Sequence, residues 1–92
     1  MDAAVHEVKS GIELIAEERE RQISKEGWHT AHDDDHDSGE LTSAAHAYLE
    51  NNPVYWPWES SSWKPSSRIR DLVKAAALIA AEIDRLQRLG FK

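Results

Sequence analysis

The sequence predicts an all-α fold: three main helices in a small bundle, with a long aromatic loop between the second and the third. Two observations predict it. Apolar residues recur at helical spacing in three separate segments, each bracketed by capping and stop residues, and no stretch shows the alternation of a strand. There is no internal repeat or low-complexity tract, so residues 1–92 read as a single helical domain.

The first helix is expected over Ser10–Glu26, where Ile12, Ile15, Ala16 and Ile23 share one face and Glu13, Glu17, Glu20 and Lys25 lie near or opposite it. Ser10-Gly11-Ile12-Glu13 has the form of a capping box, in which hydroxyl and carboxylate each satisfy an orphan amide. Residues 1–9 are an arm, or a backward extension through Val5 and Val8; Gly11 favours a break. Gly27 is placed to close the helix, because glycine accepts the left-handed conformation such an end requires.

Residues 28–37 carry too many aspartates and histidines for a helix interior, and Asp37 with Glu40 repeats the capping logic. A second helix is expected from about Ser38 to Asn51, with Leu41, Ala44, Ala45, Tyr48 and Leu49 inward and Asn51-Asn52-Pro53 as its stop. The loop 52–65 holds all 3 prolines and three of the 4 tryptophans. In so small a domain a loop of that length carries a role or packs as a lid.

Ser66 or Ser67 caps the last helix, in which Ile69, Leu72, Val73, Ala76, Ile79, Ala80, Ile83 and Leu86 form a wide apolar stripe ending at Gly90. Ala75-Ala76-Ala77 and Ala80-Ala81 let another helix approach closely, which suits the central helix of a bundle or a dimer seam. A chain of 92 residues buries only about 60–65% of its unfolded surface. Self-association through helices, most simply as a homodimer, is therefore expected.

The formal charge of −6 argues against a general DNA or RNA binder, since counterion release needs a basic surface. It points to metal ions, basic protein partners or solubility alone. The absence of cysteine removes disulfides and thiolate metal sites and fits a reducing cytoplasm. The opening Met1-Asp2-Ala3-Ala4-Val5-His6-Glu7 lacks the basic flank and apolar run of a secretory signal, and no stretch approaches the length of a membrane span.

Three groups of residues could carry chemistry. His32, Asp34 and His36, in the run His32-Asp33-Asp34-Asp35-His36-Asp37, offer oxygens and imidazoles suited to Mg²⁺, Mn²⁺ or Zn²⁺; the same run reads equally as a solvated acidic loop that caps the next helix. His29 and His46 read as surface or packing residues. Glu13, Glu17 and Glu20 lie at helical spacing, as half of a magnesium site or as partners for Arg19, Arg21 and Lys25, or for Arg68 and Arg70 across the bundle. Trp28, Trp56, Trp58 and Trp63 close a thin core or stack a base, and Lys64, Arg68 and Arg70 stand beside the loop where a phosphate would be welcome.

Glu18-Arg19-Glu20-Arg21-Gln22-Ile23, Glu26-Gly27-Trp28, His32-Asp33-Asp34, His36, Gly39-Glu40-Leu41, the Trp-Pro and Trp-Lys-Pro pieces and the run Asp71–Ile79 together resemble a group of small tailed-phage and prophage accessory proteins. That resemblance covers most of residues 16–89 and implies a cytoplasmic protein of an infected or lysogenic bacterial host. The small size, acidity and aromatic loop lead to the expectation that in such a setting it acts by binding, as an inhibitor of a host defence system of the anti-CRISPR kind that blocks a host protein or sequesters a small nucleotide.

A second resemblance is to MazG-type all-α nucleotide pyrophosphohydrolases. It implies that Glu17, Glu20, Glu40 and Asp71 hold Mg²⁺ and that Trp58 or Trp63 stacks the base of a nucleoside triphosphate. Lys74 stands where the second acid of that family's later motif belongs, and a lysine there opposes a divalent ion.

Overall fold

The structure is a computed structural model and describes residues 8–25 and 39–92. Among them are three α-helices, α1 (Gly11–Ser24), α2 (Glu40–Glu50) and α3 (Arg68–Arg88), and no strand. α3 is the shared element, with α1 and α2 both packed on it. No helix among the described residues is long and apolar enough to cross a membrane.

α1 begins on the expected capping box. The Ser10 hydroxyl accepts from the Glu13 amide at 3.1 Å, and the Glu13 carboxylate accepts from the Ser10 amide at 2.8 Å. The bond from the Ser10 amide, with the Ser10 hydroxyl beside it, favours the ionised form and holds the Glu13 carboxyl below the usual range. Ser10→Ala should cost about 1 kcal/mol, read as a lower urea midpoint with an unchanged slope. The helix closes at Ser24, with the Lys25 amide on the Arg21 carbonyl; Gly27, the expected stop, lies outside the described residues.

α2 starts from Gly39 at φ +87°, a backbone state that a side chain would strain. The start expected at Asp37 or Ser38 lies outside the described residues. At the other end Asn51 takes the left-handed conformation, which its short polar side chain tolerates.

The connection to α3 is more ordered than a plain loop. It contains two 3₁₀ turns, Pro53–Tyr55 and Ser60–Ser62. Asn52 opens the first by accepting from the Val54 amide, and the Trp56 indole N–H reaches the Glu59 carbonyl and the Ser62 hydroxyl, each at 3.1 Å. Ser43 of α2 donates to the Tyr55 carbonyl at 2.6 Å, and His46 stacks on the Tyr55 ring with centroids 3.8 Å apart.

The α2–α3 core is built from Leu41, Ala44, Ala45 and Tyr48 against Ala75, Leu78 and Ala81. So many alanines bring the helices close and leave a thin core. Trp56, Trp58 and Trp63 pack over it, with Trp63 4.7 Å from the Tyr48 ring.

α3 settles its own boundaries. Ser67 is the N-cap, accepting from the Arg70 amide at 3.2 Å, while the Asp71 carboxylate takes the Ser66 amide at 2.7 Å. At the far end the Phe91 amide bonds the Leu86 carbonyl and the Gly90 amide bonds that of Gln87, with Gly90 at φ +94°. This is a Schellman closure.

The burial of α1 and α3 departs from the apolar periodicity. In the α3 stripe only Val73 is buried; Ile69 and Ile83 are 66% and 51% exposed. The buried side of α3 instead includes Asp71, Ala75, Leu78, Ala81 and Arg85. α1 repeats the inversion, with Glu18 and Gln22 inside and Ile12 77% exposed. The alanines explain α3, since close approach to α2 selects its smallest face. For α1, the surface it meets on α3 is charged.

Candidate functional site

That charged surface is the most developed polar constellation of the described residues. Glu18 of α1 is 2% exposed and both its oxygens are engaged. Oε1 accepts from Arg70 Nη2 of α3 at 2.5 Å and from Arg21 Nε at 3.0 Å. Oε2 accepts from Arg21 Nη2 at 2.7 Å and more weakly from Gln22 Nε2 at 3.4 Å. Gln22 Oε1 is buried without a hydrogen-bond partner among the described residues.

Burial pushes the Glu18 carboxyl up, but the hydrogen bonds and charges of Arg21 and Arg70 outweigh it and hold the group below the usual carboxylate range. One helical turn along α3, burial pushes the Lys74 ammonium down, with Asp71 opposing and Arg70 reinforcing that direction. Lys74 donates to the Lys64 carbonyl at 2.7 Å and lies 5.3 Å from the centre of the Tyr48 ring. It thereby ties the incoming loop to α3.

The four carboxylates that the second resemblance implies as magnesium ligands have separate surroundings. Glu17 is exposed and pairs with Lys9 at 2.6 Å. Glu20 is exposed, Glu40 is half-buried in the first turn of α2, and Asp71 is buried on the Ser66 amide. Among the described residues no group of three or more His, Cys, Asp or Glu side chains could hold a metal ion. His32, Asp34, His36 and Trp28 lie outside the described residues.

Two of the three cations expected to greet a phosphate have internal partners. Arg68 donates to the Leu49 carbonyl at 2.7 Å, satisfying the C-terminal end of α2, and Arg70 is held by Glu18. Lys64 is exposed. The expected pairing of α1 acids with Arg70 across the bundle is present, but through Glu18, which the spacing argument did not single out. Its signal was modest: Glu18 and Gln22 stand three and seven residues after Ile15, on the same helical face.

Trp58 borders an open cleft of about 440 Å³ with Pro57, Glu59, Ser61 and Ser62. Its lining carries one carboxylate and no cation, a poor match for a phosphate. Trp56 and Trp63 have ring centroids 5.2 Å apart with their planes tilted by 54°, and both pack against the Tyr48 ring. Comparison with family models, curated proteins and solved structures finds no match to this chain.

Proposed function

We propose that the protein acts by binding, as a phage-type accessory protein that forms a homodimer and blocks a protein component of a host defence system. The observation that carries this reading is the division of labour between its polar and apolar groups. Glu18, Arg68, Arg70 and Asp71 are used within the chain, while large apolar side chains such as Ile69, Ile83, Ile12 and Val54 stand outward. A chain that uses these four charged groups within its own fold and leaves large apolar side chains outward is equipped for contact with proteins. The formal charge of −6 favours a basic partner surface.

The nucleotide-sequestering version has less support, because the cleft at Trp58 lacks a cation. The pyrophosphohydrolase alternative gains none from the separate placement of Glu17, Glu20, Glu40 and Asp71. The test is to express the chain in bacteria carrying a panel of defence systems and to count plaques of a sensitive phage. Plating restored on at least one defended strain, with no change on undefended cells, is expected. Unchanged plating across the panel, with the chain present at high level, removes the defence-blocking reading.

A further inference from the structure

We infer that the open cleft beside Trp58 takes an arginine side chain of a basic protein partner, its guanidinium pairing with Glu59 against the Trp58 indole. This rests on the reading above that the partner presents a basic surface, and it names the group recognised and the residues that recognise it. The cleft has a volume of about 440 Å³ and is lined by Pro57, Trp58, Glu59, Ser61 and Ser62. Sites that hold small ligands span roughly 300–1,000 Å³, so the space is sufficient.

The chemistry of the lining selects the occupant. Glu59 is exposed, and no hydrogen bond or ion pair engages its carboxylate among the described residues. Glu13, Glu17, Glu18 and Glu82, by contrast, each bind a group of their own chain. An anion is disfavoured in the cleft, since the lining carries no cation and the whole chain has a formal charge of −6. A neutral apolar group would strip water from the carboxylate and give nothing back. A cation answers both the carboxylate and the electron-rich indole. Of the two cationic side chains the guanidinium suits this pair better: it is planar, stacks on aromatic rings, forks a carboxylate and is less strongly hydrated than an ammonium. The Ser61 hydroxyl on the same lining can accept from a further guanidinium N–H, and Pro57 offers apolar surface to the methylene stem.

The cleft is organised before a partner arrives. The Glu59 carbonyl accepts from the Trp56 indole N–H at 3.1 Å, the Ser62 hydroxyl at 2.7 Å and the Ser62 amide at 2.9 Å, which fastens the backbone of Glu59 to the Ser60–Ser62 turn. Trp58 meets Trp56 edge to face, with centroids 5.0 Å apart and planes at 87°, and both pack on the α2–α3 core. The indole and the backbone that carries the carboxylate therefore belong to one scaffold, so little ordering cost remains for binding.

The test is an NMR titration of the full chain labelled with nitrogen-15, following the Trp58 indole N–H signal, which is assigned from its loss in Trp58→Phe. The probes are capped tripeptides with glycine on either side of arginine, lysine or citrulline; citrulline keeps the shape of arginine without its charge. The arginine peptide should move the Trp58 signal saturably, the lysine peptide should bind more weakly, and the citrulline peptide should leave the signal in place. Glu59→Gln, at an exposed position, should keep the far-UV spectrum and weaken the arginine peptide by about tenfold, the loss expected when a hydrogen bond to a charged group becomes neutral. An unmoved signal with arginine, equal binding of citrulline, or binding unchanged in Glu59→Gln overturns the site. A lysine peptide that matches arginine overturns the guanidinium assignment. No phage enters the titration, so a flat response with restored plating strikes this site alone, and saturable binding without restored plating strikes the defence-blocking reading alone.

Discussion

Glu18→Ala should destabilise the chain by about 2–4 kcal/mol, seen as a large fall in the urea midpoint. The carboxylate is the point at which α1 is fastened to α3, and it answers two guanidinium groups at once. Removing it takes away the carboxylate to which both Arg21 and Arg70 donate. Breaking a buried pair costs about 3–5 kcal/mol when the stranded charge stays buried. Here the arginine side chains are 40% and 39% exposed and can recover some water, which places the cost toward the lower end. Glu18→Gln keeps the shape and part of the hydrogen bonding, so it should fall between the two. A loss under about 0.5 kcal/mol for alanine, the size of an ordinary surface change, would mean that the cluster does not anchor α1.

The same group sets an acid dependence. Its folded-state pKa lies below the unfolded value, so the ionised form is the one that folding favours. The stability it contributes is complete above the unfolded glutamate pKa of about 4.3 and is lost as the pH falls from there through the lower folded value. Glu18→Gln should flatten the stability profile below about pH 5 while lowering it at neutral pH.

The parts of the fold that were readable in advance are those fixed by neighbours in the chain. The Ser10 box, the Ser67 cap and the Gly90 closure each involve residues within five positions, and each falls where the sequence puts it. The inward set of α2 was also legible for Leu41, Ala44, Ala45 and Tyr48, though Leu49 is 38% exposed. The orientation of α1 was not, because apolar periodicity cannot detect a helix whose inner face is polar. Glu18 becomes an inward residue only when Arg70, 52 residues away, is placed against it. The candidate site was obscured for a related reason. An indole that lids an alanine core and an indole that stacks a base are the same residue until the Tyr48 ring is found beside it.

Leu78→Ala should cost about 3–4 kcal/mol, the range of a fully buried leucine whose cavity cannot close. Leu78 is completely buried between α2 and α3, and its neighbours in that cluster include Ala44, Ala45, Ala75 and Ala81. Alanine side chains have no rotamers with which to reach into a void, and helices already in close contact cannot move nearer without clashing elsewhere. The cavity therefore persists, and with a melting shift of roughly 4–8 °C per kcal/mol for a domain of this size the loss should exceed about 12 °C. Leu72→Ala, six residues earlier on the outward side, is the internal comparison. Its side chain is 38% exposed, so the same deletion should cost under about 1 kcal/mol. Equal costs for both would mean that α3 does not turn this face toward α2, and that the alanine-lined core under Trp56, Trp58 and Trp63 is not the one that holds the helices together.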